Sequence, residues 1–493
     1  MFLLLSLIAQ IALIIFMFFL TDKYIGKILG STITFLAFIV ALFINNSRSH
    51  PDTKLAYVII LVLFPLFGTL IYLFACLGMG NKKFKKHLNK VQNFTKPLIQ
   101  NQAVIEKLNP STQGLAYYLY NSCNFPTYQN TTCNYYPSGQ TKLEDMISAL
   151  KSAKSFIFLE YYIIQHGKFL STIMEILEEK VKEGVEVRLL YDGTSSIAKI
   201  PHNFVRKANK KGIKCKMFLP VRAIISTEHN NRDHRKICII DNKIAFTGGI
   251  NLADEYIGEK KPLGEWKDVG IKIEGEAVSS FTLMFLKMWN FKQKHIEDFS
   301  IYTNKLHFKE SDGFIIPFGD HPHDSEDVSK NVILQTLANA KNYVHFTTPY
   351  LILDDELTHA IINTQKRGVE VSIVTPARPD KKITFYVTIS NYRKLIENGV
   401  KVYQYTPGFI HAKMMISDDN TAMLGTINLD YRSLYLNFED GVLIYNNSQI
   451  TTINNDFKKI ISESKLIDIH EYKRINIFKR FVGKLFKIIA PLL

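Results

Sequence analysis

One pattern of five residue types occurs twice in this chain, and its histidines, lysines and asparagines are the types that phosphoryl transfer uses. Each copy has the form His-x-Lys-x4-Asp-x6-Gly-x-x-Asn. The matching residues are His234, Lys236, Asp241 and Asn251 in the first copy and His411, Lys413, Asp418 and Asn428 in the second. A single His-x-Lys-x4-Asp is expected by chance in roughly a few per cent of chains of this length, whereas the longer pattern in duplicate is not. The duplication predicts chemistry on phosphodiester bonds.

These residue types can divide the work of breaking a phosphodiester. Its negatively charged oxygens repel a nucleophile, so an enzyme must neutralise them and must protonate the leaving alcohol. We expect the phosphate to be held by two lysines and two asparagines: Lys236, Lys413, Asn251 and Asn428. One histidine would attack phosphorus while the other acts as general acid and then as general base, through a covalent phosphohistidine. This scheme uses no metal and no cofactor.

Two aspartates complete the catalytic motif, and two further acids follow it in the chain. Asp241 and Asp418 belong to the motif, and within it we expect them to hold loops or lysines by hydrogen bonds rather than to react. Each imidazole also needs an orienting partner on its second ring nitrogen. Asp268 and Glu439 are the acidic candidates downstream, and spacing alone leaves a surface position equally open for each.

The sequence around the motif is repeated too, which indicates two copies of one structural unit. Gly184-Val185-Glu186-Val187, for example, returns as Gly368-Val369-Glu370-Val371. In both copies short β-branched or aromatic runs alternate with amphipathic helices, which predicts an α/β architecture. The apolar run after each motif histidine is typical of a buried strand, on which the histidine and lysine share one face. We place the repeats at 141–300 and 301–470.

The first 80 residues predict a transmembrane region. Three apolar segments, at about 2–20, 28–44 and 55–77, are each near the ~20 residues that a helix needs to cross the hydrocarbon core. A cleaved signal peptide is disfavoured because no Lys or Arg precedes the first segment and no small-residue cleavage site follows it. A buried soluble core is disfavoured because helices in such a core seldom stay apolar on every face.

The basic residues predict both a topology and an anionic partner. A lysine cluster follows the third segment, at Lys82, Lys83, Lys85, Lys86 and Lys90. Positive flanks stay in the cytoplasm, so we expect a multi-pass protein of the cell membrane with its catalytic part inside. The chain has a formal net charge of +15, which favours membrane surface or nucleic acid as partner, although a general preference for lysine explains it equally well.

The segments that flank the repeats have simpler compositions. Residues 81–140 contain the basic flank and a polar connector, and 471–493 form a tail in which basic and apolar residues interleave. The tail is typical of an amphipathic helix on an anionic membrane, the alternative being a final helix packed on the domain. The five cysteines have no spacing that predicts a zinc site or a disulfide framework, which agrees with a reducing compartment.

The duplicated motif resembles the signature of the phospholipase D superfamily. Within that superfamily, four segments are similar to those of bacterial cardiolipin synthases: 231–236, 248–256, 408–413 and 425–433. The apolar stretch from Leu61 to Tyr72 and the closing Pro491-Leu492-Leu493 are similar as well, so the likeness spans nearly the whole chain. The chain departs from the family pattern at Lys267, which replaces a common arginine, and at Gly270, which replaces a common histidine.

The resemblance implies two tandem α/β repeats related by a pseudo-twofold axis, with one active site between them. It implies phosphatidyl transfer between two phosphatidylglycerol molecules, which gives cardiolipin and glycerol, with anionic membrane lipids rather than nucleic acid as partners. His234 and His411 would be the nucleophile and the acid–base residue, with His234 the preferred nucleophile, and Asp268 and Glu439 would orient them. The alternatives are a phospholipase D-type hydrolase of membrane phospholipids and, behind it, a membrane-tethered nuclease.

Overall fold

The computed structural model describes residues 23–47, 49–77, 81–220, 230–303, 308–323 and 326–492. These residues form two compact units. The small unit contains the described residues of Met1–Phe84 and of Lys484–Leu493, and the large unit contains those of Lys85–Ala223 and His229–Gly483. Both copies of the motif lie in the large unit.

The small unit contains three N-terminal helices, α1 (Lys23–Asn46), α2 (Pro51–Leu63) and α3 (Pro65–Leu77). The predicted segment 2–20 lies outside the described residues, and 28–44 lies within α1. The predicted segment 55–77 lies in α2 and α3, and between them the chain leaves the helical conformation at Phe64, with φ −139° and ψ 75°. Pro65 has no N–H to donate and its ring disfavours a helical residue before it.

The two halves of that broken segment pack against each other. The rings of Tyr57 in α2 and Tyr72 in α3 meet edge to face with centroids 5.5 Å apart. Tyr72 and Leu61 are buried in a small apolar cluster with Ala37 and Ile44 of α1. In the part of the chain that the structure describes, no helix combines the length and the apolar character that a membrane crossing requires.

Helix α4 (Asn81–Phe94) belongs to the small unit up to Phe84 and to the large unit from Lys85. Helices α5 (Gln102–Glu106) and α6 (Pro110–Cys123) follow, and then the first repeat. The strands of this repeat are β1 (Thr131–Tyr136), β2 (Phe156–Tyr161), β3 (Glu186–Asp192), β4 (Lys214–Phe218), β5 (Arg232–Asp233), β6 (Lys236–Ile240), β7 (Ile244–Gly248), β8 (Glu265–Lys267) and β9 (Gly270–Gly275). Its helices are α7 (Gly139–Ser152), α8 (Lys168–Lys182), α9 (Phe204–Lys210) and α10 (Val278–Trp289). The first repeat therefore begins at β1, inside the segment predicted as a connector.

The second repeat follows the same plan. Its strands are β10 (Phe314–Asp320), β11 (Tyr343–Thr347), β12 (Glu370–Pro376), β13 (Lys401–Tyr405), β14 (Gly408–Ile410), β15 (Met414–Ser417), β16 (Thr421–Gly425), β17 (Asn437–Tyr445) and β18 (Ser464–Leu466). Its helices are α11 (Val328–Asn339), α12 (Asp355–Lys366), α13 (Lys382–Ile396), α14 (Tyr431–Tyr435), α15 (Gln449–Ser462) and α16 (Ile469–Arg474). A last helix, α17 (Ile477–Ile489), belongs to the large unit up to Gly483 and to the small unit from Lys484.

The two sheets have matching strand orders, β1-β9-β7-β6-β2-β3-β4 in the first repeat and β10-β17-β16-β15-β11-β12-β13-β18 in the second. Strands β2 and β3 pair in parallel, as do β11 and β12, while the motif strands β6 and β15 pair antiparallel to β2 and β11. Each sheet has its own apolar core. The expected pair of α/β repeats is confirmed.

One short strand of each repeat pairs with a strand of the other repeat. Strand β5 pairs in parallel with β17, and β14 pairs in parallel with β8. These strands contain the residues that come directly before each motif histidine. The backbone N–H of His234 donates to the carbonyl oxygen of Phe438 (2.9 Å), and that of His411 donates to the carbonyl oxygen of Lys267 (2.7 Å). Each motif histidine is thus fixed by the backbone of the opposite repeat.

Candidate active site

The first motif histidine is held by an acid of the second repeat. Nδ1 of His234 lies 2.8 Å from Oε2 of Glu439. The same oxygen accepts a hydrogen bond from the hydroxyl of Thr426 (2.5 Å), and Oε1 accepts one from Nδ2 of Asn437 (3.1 Å). The Glu439 side chain is completely buried. Because a carboxylate accepts hydrogen bonds, Nδ1 carries the proton and Nε2 is the nitrogen left for chemistry.

The second motif histidine is held in the same way by an acid of the first repeat. Nδ1 of His411 lies 2.7 Å from Oδ2 of Asp268, and Asp268 is also completely buried. The two acids predicted to orient the histidines are therefore next to them, but each serves the histidine of the other repeat. Neither repeat contains a complete histidine–carboxylate pair of its own.

The two motif lysines lie beside the histidines. Nζ of Lys236 donates to the carbonyl oxygen of His234 (2.5 Å), and Nζ of Lys413 donates to the carbonyl oxygen of His411. Nζ of Lys413 is also 2.9 Å from Nδ1 of His411, but the proton on Nδ1 points to Asp268, so the carbonyl oxygen is the acceptor. Both ammonium groups thereby lie where they can neutralise a bound phosphate.

Burial decides the protonation of the lysines and histidines. It lowers the pKa of Lys236 to about 7 and that of Lys413 to about 8, against the opposing effect of nearby carboxylates. Burial and the charge of Lys413 lower the pKa of His411 to about 4, although Asp268 opposes them. Burial, followed by the charges of the two motif lysines, lowers the pKa of His234 well below its ordinary value. Both imidazoles are neutral near pH 7, as a nucleophilic Nε2 requires.

The acid that holds His234 has a raised pKa. Burial raises the pKa of Glu439 to about 7, although Lys236 and the hydrogen bonds from Thr426 and Asn437 oppose the rise. The protonation of this carboxyl group therefore changes near neutral pH. Because the Glu439 carboxylate stabilises positive charge on His234, its protonation weakens the site.

The two motif asparagines occupy matching loops after β7 and β16. Oδ1 of Asn251 accepts a hydrogen bond from the backbone N–H of Ile163 (2.9 Å), and its Nδ2 donates to the hydroxyl of Tyr256 (2.7 Å). Oδ1 of Asn428 is buried without a hydrogen-bond partner. The two amides are therefore not equivalent, and their binding of phosphate stays a prediction.

The two motif aspartates hold backbone turns by hydrogen bonds, and no contact of either with a motif histidine is seen among the described residues. The Asp241 carboxylate accepts three backbone N–H groups, those of residues 154, 155 and 156, at 2.7 to 2.8 Å. Asp418 does the same with residues 341, 342 and 343, at 2.7 to 2.9 Å. Lys236 and Asp241 lie at opposite ends of β6, roughly 17 Å apart along an extended strand. Both aspartates fix the turn that starts β2 or β11.

Several aromatic and hydroxyl side chains next to the histidines were not predicted as part of the site. The ring of Tyr162 lies 4.7 Å from that of His234, and the rings of Tyr256 and Trp266 lie 5.5 and 5.8 Å from that of His411. Tyr162 follows β2, and Trp266 lies in β8 two residues before Asp268. The sequence signal for Tyr162 was its position at the end of a buried strand, the usual place for site residues.

Within the described residues, no group of three or more His, Cys, Asp or Glu side chains is arranged to hold a metal ion. The buried donors around the histidines are instead lysines and amides. Such a set is suited to an anion, because ammonium and amide N–H groups donate to phosphate oxygens.

Comparisons with known proteins agree with this geometry. The family model described as "Cardiolipin synthase, PLD-like domain" matches residues 146–289 and 333–461, one match for each repeat, and a second model, "Phospholipase_D-nuclease N-terminal", matches 32–75. The chain is 31% identical to a cardiolipin synthase of Alkalihalophilus pseudofirmus over 96% of this chain and 95% of the relative. It is 32% identical to cardiolipin synthase 2 of Bacillus anthracis over 93% and 90%.

Two further comparisons concern a relative without an assigned activity and a solved structure. An uncharacterized protein of Streptococcus mutans is 42% identical over 92% of this chain and 99% of its own length. The crystal structure of a phosphatidylserine synthase of Haemophilus influenzae superposes with a TM-score of 0.58 and 19% identity, over 78% of this chain and 98% of that one. At that identity the superposition indicates a shared fold alone.

Proposed function

This chain belongs to the cardiolipin synthase family of phospholipase D-like phosphatidyltransferases, and we propose that it makes cardiolipin and glycerol from two molecules of phosphatidylglycerol. The observation that supports the proposal best is the exchange of acids between repeats. It leaves two neutral imidazoles, each with Nδ1 held and Nε2 free, beside two buried lysines. Such a set can take a phosphatidyl group from one alcohol and give it to another.

In the first step Nε2 of His234 attacks the phosphorus of the donor lipid. The N–P bond forms as the bond from phosphorus to the glycerol oxygen breaks, and Nε2 of His411 supplies the proton that the departing oxygen takes. Burial and then the lysine charges lower the pKa of His411 in the free site. The phosphate anion between Lys236 and Lys413 offsets those charges and raises this pKa, so that His411 can carry the proton. Glu439 stabilises the positive charge that develops on His234.

In the second step the roles of His411 are reversed. Its Nε2 takes the proton of a hydroxyl on the headgroup of a second phosphatidylglycerol, and the resulting oxygen attacks phosphorus while the N–P bond breaks. Cardiolipin leaves, and both histidines return to their first state. Water in place of the second lipid would give phosphatidic acid, which is the hydrolase alternative.

The proposed substrates place the reaction at a membrane surface. We infer that the enzyme works at the cytoplasmic face of the cell membrane, which agrees with the lysine cluster that follows the third apolar segment. The lipids are the partners in this proposal, and nucleic acid is not. The multi-pass topology of the first 80 residues stays a prediction.

Product analysis with the purified enzyme and phosphatidylglycerol vesicles tests the proposal. We expect cardiolipin and glycerol in equal amounts from the unmodified chain, and a loss of at least about 10⁴-fold in His234→Ala or His411→Ala, because each histidine is required in both half-reactions. The exposed His359 in α12 supplies the matched control, and His359→Ala should retain full activity. Phosphatidic acid as the main product would support the hydrolase instead, and activity on nucleic acid without any on vesicles would support the nuclease.

A further inference from the structure

The last long helix of the chain has an exposed apolar stripe. In α17 five large apolar side chains remain exposed: Ile477 (75%), Phe478 (66%), Phe481 (64%), Leu485 (53%) and Ile488 (39%). At 100° per residue these five positions fall within an arc of about 100° on the helix surface. Isolated exposed apolar residues need no explanation, but a continuous stripe of this kind marks an interaction surface.

The opposite side of the helix is fixed to the second repeat. Gly483 is buried, and a Cβ at this position would collide with the backbone carbonyl oxygen of Tyr386 in α13. On the helical wheel Gly483 lies about 190° from the centre of the apolar stripe. The guanidinium of Arg480 also packs on the ring of Tyr472, 5.3 Å from its centroid. The close backbone contact therefore directs the stripe away from α13.

The charges along this part of the chain identify the partner. After Glu471 no acidic residue occurs, while six basic residues do: Lys473, Arg474, Lys479, Arg480, Lys484 and Lys487. A protein groove for this helix would have to match a dense positive charge as well as an apolar stripe. An anionic bilayer has a negative surface and an apolar interior, so its headgroups attract the basic residues while its acyl chains contact the apolar stripe.

We propose that α17 lies in the plane of an anionic lipid bilayer, with its apolar stripe among the acyl chains and Gly483 fixing the catalytic unit above it. The two alternatives left open for the tail thus apply to different faces of one helix. This surface goes beyond the proposed function, because it holds whichever phospholipid the site consumes. The contact at Tyr386 lies in the first turns of α13, and Lys381, directly before α13, contributes after burial and the two motif lysines to the lowered pKa of His234.

Fluorescence quenching by brominated lipid tests the position of each face. The chain has only two tryptophans, so Phe481→Trp adds one reporter on the stripe and Lys479→Trp adds one about 150° from the stripe centre. The full chain would be reconstituted in phosphatidylglycerol vesicles with and without dibrominated acyl chains. In brominated vesicles we expect the emission added by Phe481→Trp to fall at least about twofold. The emission added by Lys479→Trp should be unchanged. Equal quenching of both, or of neither, would overturn the proposal.

A second pair of measurements keeps folding and chemistry separate from membrane docking. Phe478→Ser/Phe481→Ser should lower turnover about tenfold on vesicles while leaving turnover of monomeric short-chain phosphatidylglycerol unchanged. Undiminished turnover on vesicles would contradict the proposal, as would crosslinking through the stripe between two copies in place of lipid quenching. If the unmodified chain makes no cardiolipin from either substrate, the proposed function fails while the quenching result still decides the position of α17.

Discussion

The two halves of the site share one geometry but achieve it with different side chains. In the half around His234 the acid is Glu439, whose Oε2 also accepts the hydroxyl of Thr426. In the half around His411 the acid is Asp268, and the position that matches Thr426 is Gly249. A Cβ at Gly249 would collide with the Asp268 carboxylate. Glu439 thus accepts a hydrogen bond from a hydroxyl, whereas Asp268 packs against a residue that has no side chain.

This difference shows that the repeats are no longer interchangeable, although their sheets have the same strand order. Of the two acids, Glu439 accepts a hydrogen bond from the Thr426 hydroxyl, and Asp268 has Gly249 at the matching position. Of the two motif asparagines, Asn251 has a hydrogen-bonded carbonyl oxygen and Asn428 does not. In the proposed mechanism one histidine is the nucleophile and the other is the acid–base residue, and the two need different surroundings because each needs a different proton affinity. The asymmetry therefore agrees with a division of labour between His234 and His411.

Removal of the two orienting charges should have the largest effect. Asp268→Asn and Glu439→Gln keep the size of each acid but remove the charge that fixes the Nδ1 proton, and we expect each to lower kcat by about 10² to 10⁴-fold. Steady-state kinetics on phosphatidylglycerol measures both. Glu397→Gln, at an exposed acid directly after α13, is the control and should retain activity. If Asp268→Asn slowed the attack by His234 and left the proton transfers by His411 unchanged, the exchange of acids between repeats would be refuted.

The next prediction compares the residues behind the two acids. Gly249→Ala should lower activity by about 10²-fold, because the new Cβ displaces the Asp268 carboxylate from His411. Thr426→Val should cost only about tenfold, because it removes one hydrogen bond, worth about 1.5 kcal/mol, and leaves the Glu439 carboxylate next to His234. Circular dichroism on both variants checks that they are folded. Equal losses would mean that the two halves tolerate disturbance alike, against the asymmetry seen here.

The pH dependence of kcat/KM should report the Glu439 half of the site. The pKa of this group is raised by burial to about 7, so the carboxylate takes up a proton as the pH falls through 7 and activity falls with it. The Thr426 hydrogen bond lowers this pKa, and Thr426→Val should therefore move the acid limb to higher pH. The residual activity of Asp268→Asn should keep the midpoint of the unmodified chain. If the midpoint moved in Asp268→Asn and stayed unchanged in Thr426→Val, the acid limb would belong to the half around His411, which would contradict its assignment to Glu439.

The sequence was informative where the signal is local or repeated. The repeated sequence around the tandem motif predicts two α/β repeats, because short apolar runs alternate with amphipathic helices in both copies. The sequence downstream of each motif also contains the acids Asp268 and Glu439. It does not say which acid serves which histidine, since spacing along the chain says nothing about pairing between two copies. That pairing depends on β5 and β14, which are too short to be distinguished from loops by periodicity.

The features that the sequence does not reveal have equally specific causes. Pro65 lies within the apolar segment 55–77, and hydropathy summed over the segment does not show that a helix ends before this proline. Thr426 and Gly249 occupy one position of the repeat, and only the packing distance to the acid reveals why one is a hydroxyl and the other has no side chain. The sequence favours a structural role for Asp241, but its membership of the motif alone does not exclude chemistry.

The smallest effect on chemistry should come from the motif aspartates, which lie far from both histidines. Asp241→Asn and Asp418→Asn each replace a carboxylate oxygen that accepts backbone N–H groups with an amide nitrogen that cannot accept them. We expect each variant to lose about 2–4 kcal/mol in the free energy of unfolding, measured by denaturant titration. The activity per folded molecule should stay within about threefold of the unmodified chain. The motif lysine lies at the end of β6 or β15 opposite the aspartate, and that end keeps its position. Since the three hydrogen bonds are the same in both repeats, the two variants should be alike, in contrast to the unequal pair at positions 249 and 426. A loss of activity in fully folded protein would return the aspartates to the catalytic set.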